Sequence, residues 1–333
     1  MEQPKKVKTS KSVRQPTCPA CNKRFRTTKK SQKYCNDICS TQAQRSREKA
    51  RHTKREQRVT DSDFMNFLSR QCKNANTLQI LEGHTLETML SLYQDVWRYS
   101  QRAGRDAYHI CHIAPVSGGD KVGKLHPDNL VIGQASRNQS WGNKFTGAGL
   151  WITSEELKIE HHVYDYETPK AIAERIKKFV GVELFTELAV KTKIQTSQRI
   201  ALLHWFEAND QYTDKLLRES TKALEARKAA FLKEDVVSIN GKRFRPDMTP
   251  MDALDVYVNQ LVRFEADPAA VDLLGQIVFK TEMARWSGKT EEILSPALQN
   301  EIERICFEYL HGAISNLHLA LYPVFLKYIP KAA

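Results

Sequence analysis

The chain has 333 residues, of which 41% are apolar, so it is long enough for about two domains and can bury a hydrophobic core. No apolar run reaches the roughly eighteen residues of a membrane span, and the N-terminus lacks the apolar core of a secretory signal. The seven cysteines do not form the regular framework of a disulfide-rich secreted protein. These features exclude a disordered or membrane-spanning chain, and we expect a cytoplasmic protein.

The formal net charge is +12, and it is unevenly distributed. Residues 1–58 hold 18 of the 51 Lys and Arg residues but only 4 of the 39 acidic ones. A basic segment of this kind attracts polyanions, because each Lys or Arg that meets a phosphate releases condensed counterions. The alternative is a solvated tail without a partner.

Four cysteines follow a polar tail over residues 1–16, which we expect to be disordered. Within residues 17–40 they form two close pairs, Cys18 with Cys21 and Cys35 with Cys39, separated by thirteen residues. This spacing is typical of a zinc finger, in which the metal supplies the folding energy that a small core cannot. We therefore predict a structural Zn²⁺ with these four ligands.

Basic residues lie throughout the predicted finger and continue beyond it. Residues 41–58 contain no Gly, Pro or apolar stripe, which favours an exposed basic helix. Within the finger, we predict that four basic residues contact nucleic-acid phosphates: Arg24, Arg26, Lys29 and Lys30.

Helical periodicity dominates the rest of the chain. Apolar residues recur at helical spacing from Leu86 to Trp97, so 41–100 should hold a basic helix and amphipathic linker helices. Residues 165–333 are predicted to form a helical domain of unknown role, with one long helical stretch over 297–329. Within the same domain, Asn240 and Gly241 lie between short apolar runs and predict a β-hairpin.

Residues 101–164 carry a different pattern, which predicts strand, loop, strand and helix. A first strand is expected at 108–113 and a second at 130–132, with turn residues at 117–119. Ser136 is a candidate N-cap for a helix with Asn138 in its first turn. The fold class is therefore predicted to be α+β and mostly α, with a small ββα unit.

The ββα segment resembles the HNH endonuclease family, also called the His-Me finger or ββα-metal group. The resemblance covers about forty residues, and its elements agree in order and spacing: H-I-x-P at His112 to Pro115, Gly118 and Gly119, D-N-L at Asp128 to Leu130, and N-x-x-x-x-N-K at Asn138 to Lys144.

The residue types suit hydrolysis of a phosphodiester. A neutral imidazole can take the proton of an attacking water, so His112 is the candidate general base. The amide oxygen of Asn138 is a hard ligand suited to a cation such as Mg²⁺. The resemblance implies that Asn129 braces the base, and that Arg137 and Lys144 contact phosphate.

One position departs from the family pattern. The residue before the base usually binds the metal through Asp or His, and here it is Cys111. A thiolate is a poor ligand for Mg²⁺, so either Asn138 and water suffice, the site prefers Mn²⁺ or a softer ion, or Cys111 is simply a buried strand residue. His109 faces the same side of the strand and is either a further ligand or a packed histidine.

The sequence thus predicts a metal-dependent endonuclease that acts on DNA, with a histidine base and one divalent cation. We expect a possible homodimer without a membrane partner, and a compact finger-plus-nuclease chain suits a bacterial or phage-infected host cell. Three alternatives stay open. One is a zinc-finger DNA-binding regulator whose HNH unit does not cut, and another is a nuclease directed at RNA. The third is an interaction protein defined by its helical domain, with cutting as an accessory activity.

Overall fold

The protein is described by a computed structural model over residues 13–83, 85–103, 107–117, 119–233, 253–288 and 294–328. It is mostly helical with two small sheets, which confirms the predicted class of α+β and mostly α. The helices are α1 (Asp37–Thr60), α2 (Asp63–Asn74), α3 (Leu86–Ala103), α4 (Ala135–Trp141), α5 (Pro169–Val180), α6 (Val182–Lys191), α7 (Gln198–Ala208), α8 (Thr221–Leu232), α9 (Ala253–Arg263), α10 (Pro268–Ser287), α11 (Pro296–Leu310) and α12 (Leu317–Tyr328). The strands are β1 (Tyr108–His112), β2 (Lys121–Gly123), β3 (Leu130–Gln134) and β4 (Trp151–Thr153). The hairpin predicted at Asn240 and Gly241 lies outside the described residues, as does Gly118.

The N-terminal part is a long helix that grows directly out of the cysteine-rich segment. Asn36 caps α1 by accepting the backbone N–H of Cys39, so the second cysteine pair lies at the start of this helix. Most of α1 is polar and exposed, and its last turns pack on α6. There Glu56 accepts hydrogen bonds from Lys177 at 2.8 Å and Thr186 at 2.7 Å, which fixes the base of α1 to the body of the protein.

Two antiparallel strands and a short helix form the predicted ββα unit. β1 pairs with β3 in a register that places His112 opposite Leu130 and His109 opposite Gly133. α4 follows β3 without a loop and begins at Ala135, with no side-chain cap. Ser136 therefore lies inside the helix, and its predicted role as N-cap is wrong. Asn138 lies in this short helix, as expected.

The C-terminal helices cover the strands instead of forming a separate core. One continuous cluster of buried apolar residues runs from Val59 to Phe325 and includes β1 and β3. Gln260 in α9 accepts the backbone N–H of Ile132 at 3.1 Å, and Arg263 donates to the carbonyl of Pro127 at 2.8 Å. The ββα unit is thus held on one side by α9 and α11.

The stretch predicted as one long helix over 297–329 is two helices. α11 ends at Leu310, His311 is its C-cap, and Gly312 adopts a left-handed φ of +72° that lets the chain turn before α12. Among the described helices, none is both long and apolar enough to cross a membrane.

Candidate functional site

The four cysteines of the predicted finger form a single cluster. Their sulfur atoms all lie within 4.8 Å of one another, and the pairs Cys21–Cys35 and Cys35–Cys39 are 3.7 Å and 3.5 Å apart. Sulfurs around a tetrahedral zinc lie about 3.8 Å apart, since each Zn–S bond is about 2.3 Å. Cys18, Cys21, Cys35 and Cys39 therefore form a cluster that could hold a metal ion.

The local backbone prepares this cluster for a cation. Cys18 and Cys21 lie on a tight turn in which Asn22 has a left-handed φ of 57° and its N–H donates to the carbonyl of Cys18. Burial opposes ionisation of Cys18, but nearby backbone N–H groups outweigh it and lower the pKa of Cys18 to about 6. The hydrogen bond to Cys35, together with burial, raises the pKa of Cys39 to about 12. A first thiolate forms easily, whereas full deprotonation of the cluster requires a cation.

A basic surface surrounds the cluster. Arg24, Arg26, Lys29 and Lys30 are all exposed, as are most of the basic residues in the first half of α1. Arg47 of α1 donates to the Tyr34 hydroxyl, which ties the helix to the finger. The predicted phosphate contacts are therefore accessible on one connected element.

His112 lies at the end of β1 and is half-buried. Its Nε2 is fully buried and has no hydrogen-bond partner among the described residues, whereas Nδ1 is not among the buried atoms that lack a partner. Burial, with a smaller effect of nearby His311, lowers the pKa of His112 to about 4. The imidazole is therefore neutral at pH 7, as a general base must be.

Asn129 is fully buried and holds the loop that follows His112. Its Oδ1 accepts the backbone N–H groups of Ala114 at 2.9 Å and Leu150 at 3.0 Å. Its Nδ2 donates to the carbonyls of Ala114 at 3.1 Å and Lys124 at 2.8 Å. The amide of Asn129 thus joins three loop segments. Ala114 lies two residues after His112, and Lys124 and Leu150 belong to the loops that pack beside it.

Asn138 lies beside His109 and not beside the predicted base. Its Nδ2 is 3.3 Å from the Nδ1 of His109, and both residues are half-buried. Cys111 is fully buried, its thiol donates to the carbonyl of His109, and burial raises the pKa of Cys111 to about 12. A neutral thiol is a poor metal ligand, so this environment favours the alternative in which Cys111 packs and His109 is the neighbour of Asn138.

The two cations predicted to contact phosphate have different environments. The guanidinium of Arg137 donates to Gln134 and to Asn300, and lies 3.3 Å from the carboxylate of Glu303. It is therefore engaged within the protein, and the structure disfavours its predicted phosphate contact. Lys144 is exposed, with its ammonium 4.4 Å from the centre of the Trp141 ring, so it is accessible to a ligand.

The sequence did not single out His311, which lies beside this unit. It is fully buried and packs between Phe307, at 4.0 Å between ring centres, and Trp141, at 5.3 Å. Its Nδ1 is 2.8 Å from the Phe307 carbonyl, whereas its Nε2 has no partner among the described residues. A lone histidine at a helix end carries no local signal, and only the contact with α4 reveals it.

Comparisons of the chain with protein-family models, with curated proteins and with solved structures found no match.

Proposed function

We propose that the chain is a metal-dependent endonuclease that hydrolyses phosphodiester bonds in DNA, with His112 as the general base. The observation that carries the proposal is the position of Asn129, whose buried amide holds the loop directly after His112. This is the bracing role that the HNH resemblance implies, and a fixed base is needed because proton transfer depends on distance and angle.

His112 would act through Nδ1, because its other ring nitrogen, Nε2, is buried. The low pKa of His112 keeps it unprotonated at neutral pH, so it can accept a proton from a water molecule that attacks the phosphorus. Exposed Lys144 near the end of α4 adds positive charge where a phosphate would approach.

Asn138 and His109, which lie beside one another on α4 and β1, fit a catalytic cation that keeps most of its water ligands. Asn138 offers a hard amide oxygen and His109 an imidazole nitrogen, whereas the buried thiol of Cys111 does not suit Mg²⁺ or Mn²⁺. Asn138 with His109 would hold the ion, and the ion would neutralise charge on the phosphate.

The finger and α1 would supply affinity for the substrate. We infer that Zn²⁺ occupies the four-cysteine cluster, because thiolate ligands at this spacing select zinc. The exposed Arg24, Arg26, Lys29 and Lys30 would contact backbone phosphates without reading bases. Replacing these four residues with Gln should flatten the salt dependence of DNA binding by about 0.9 in the log–log slope for each phosphate that is no longer neutralised.

The catalytic proposal is tested with supercoiled plasmid DNA and either Mg²⁺ or Mn²⁺. We expect relaxed or linear product that EDTA suppresses and that the His112→Ala variant does not form. His204→Ala is the matched control, because His204 is an exposed histidine on α7, in a separate small cluster, and should leave cleavage unchanged.

Three results would contradict the proposal in different ways. Tight DNA binding without cleavage would favour a regulator with an inactive unit. Cleavage of RNA and not DNA would favour the RNA-directed alternative. Cleavage that survives in His112→Ala would remove His112 as the base.

A further inference from the structure

Three polar side-chain atoms beside the proposed active site are buried and have no hydrogen-bond partner among the described residues. They are the Nε2 of His112 on β1, the Nε1 of Trp141 on α4 and the Nε2 of His311 at the end of α11. Buried polar atoms nearly always have partners, since each unsatisfied one costs about 1–3 kcal/mol. Three of them from three elements point to one shared interaction.

Several contacts bring the end of α11 to the end of β1. Thr146 donates to the carbonyl of His311 at 2.5 Å, and Gly312 packs so closely on Ala148 that a Cβ there would lie 2.4 Å from it. The next residue of that loop, Gly149, approaches the backbone of Ala114, two residues after His112. The His311 turn therefore lies against the loop that follows the base.

The hydrogen bond at one ring nitrogen of His311 fixes the chemistry of the other. A carbonyl oxygen only accepts, so the Nδ1 that faces the Phe307 carbonyl at 2.8 Å carries the proton of the neutral ring. The Nε2 of His311 then carries a lone pair at a buried position, and this lone pair needs a hydrogen-bond donor. The indole N–H of Trp141, whose ring centre lies 5.3 Å from that of His311, and a protonated Nε2 of His112 are likewise buried without a partner among the described residues, so both can reach this lone pair through a shared water molecule.

We propose that His311 is a positioning residue of the nuclease site, whose Nε2 lone pair is linked to the Nε2–H of His112 through one water molecule shared with Trp141. A water molecule in that place would accept from His112 and Trp141 and donate to His311, which gives it the usual three partners. The consequence lies at the other nitrogen of His112. With the proton held on Nε2, Nδ1 keeps its lone pair toward solvent and substrate.

This inference rests on the proposed role of His112 as the base, and it assigns a task to the C-terminal helices. The electrostatic effect of His311 on the pKa of His112 supports the proximity of the two rings. Residues that orient a metal-binding histidine through its second nitrogen typically change metal affinity or activity by about 10- to 100-fold when they are replaced, and we expect an effect of similar size for a base histidine.

Two substitutions at His311 separate positioning from packing. His311→Asn keeps an amide N–H where Nδ1 donates to the Phe307 carbonyl but removes the acceptor at Nε2. His311→Gln does the reverse, because its longer amide reaches the position of Nε2 and leaves the Phe307 carbonyl without its donor. If the role of His311 is purely structural, plasmid cleavage should fall more in His311→Gln. If His311 positions His112, cleavage should fall more in His311→Asn.

The direct readout is the tautomer of His112 in the full chain labelled with ¹⁵N-histidine. Long-range ¹H–¹⁵N spectra distinguish a protonated ring nitrogen from a lone pair, and the signals of His112 are identified by their loss in His112→Gln. We expect Nε2–H in the wild type and in His311→Gln, and a mixture in His311→Asn. Plasmid cleavage in His311→Asn should fall by about 10- to 100-fold, with DNA affinity unchanged.

The spectra need no substrate, so they separate this inference from the proposed function. A wild-type His112 protonated at Nδ1 would overturn the inference even if the Asn variant failed to fold. An unchanged tautomer in a folded His311→Asn would also overturn it, while active cleavage would leave the nuclease proposal standing. If the tautomer of His112 changes in the variants as expected but the protein does not cut DNA, the result would support the contact between the two histidines and refute the nuclease proposal.

Discussion

Replacing Asn129 with Ala tests how strongly the brace beside His112 is built. The side chain is fully buried and makes four hydrogen bonds, all to backbone groups, over distances from 2.8 to 3.1 Å. Each such bond contributes about 1 kcal/mol net, so the substitution should lower the free energy of unfolding by about 4 kcal/mol. That is a large part of the roughly 5–15 kcal/mol that stabilises a folded protein.

The change is measured by equilibrium urea unfolding followed by tryptophan fluorescence. Because the strands and the C-terminal helices share one core, we expect a single main transition whose midpoint moves to lower urea. Asn143→Ala is the matched control, since Asn143 is exposed and its hydrogen bond within the described part of the chain is a single donation to the Ser117 hydroxyl at 3.2 Å. Its effect should stay within about 0.5 kcal/mol.

The same two variants test whether the hydrogen bonds of Asn129 are needed for DNA cleavage. In the absence of urea, where Asn129→Ala should remain folded, we expect this variant to lose plasmid cleavage, because the loop after His112 is no longer fixed. A loss of stability below about 1 kcal/mol would refute the reasoning, since it would mean that water replaces the amide without penalty.

Three further outcomes follow from the same geometry. Gly149→Ala should destabilise the protein by about 1–3 kcal/mol more than Gly147→Ala, because both glycines have a positive φ but only the Cβ at Gly149 would clash, 2.2 Å from an amide oxygen; equal midpoints would contradict this. Cys39→Ser should abolish zinc binding measured by mass spectrometry, whereas Cys72→Ala, in the core, should retain it. Burial lowers the pKa of His311 to about 4, so its contribution to stability is complete above about pH 6.5 and is lost as the pH falls towards 4. The stability difference between the wild type and His311→Asn should therefore shift by on the order of 3 kcal/mol over that window, and an unchanged difference would show that the ring is already charged or exposed.

Local patterns predicted the local elements well. The helix beginning at Leu86, the antiparallel β1–β3 pair and the four-cysteine cluster all follow from spacing and periodicity within a few dozen residues. The start of α4 did not, because Ser136 has the chemistry of a cap but the chain enters the helix one residue earlier. The break between α11 and α12 was also missed, although Gly312 is a typical residue at the end of a helix, because apolar residues continue on both sides of it.

The candidate site could be predicted only in part, because its second half comes from far along the chain. The neighbour of Asn138 is His109, and the partner that engages Arg137 is Glu303, more than 160 residues away. The spacing of apolar residues in the sequence gives no indication that α11 packs against α4. Arg137 therefore looked like a free cation in the sequence, although the fold uses it to join two helices.

The same long-range packing explains why a short motif can hold a precise geometry here. A ribbon of two five-residue strands is marginally stable by itself in water. In this protein a Cβ at Gly133 of that ribbon would lie 3.0 Å from the Phe307 ring, and Arg263 and Gln260 bond to the backbone of the segment around Leu130. Because these contacts fix the strand that pairs with His112, the C-terminal helices determine where the proposed base points. The role of residues 253–328 is then, in our proposal, to hold the nuclease unit in the form that can react.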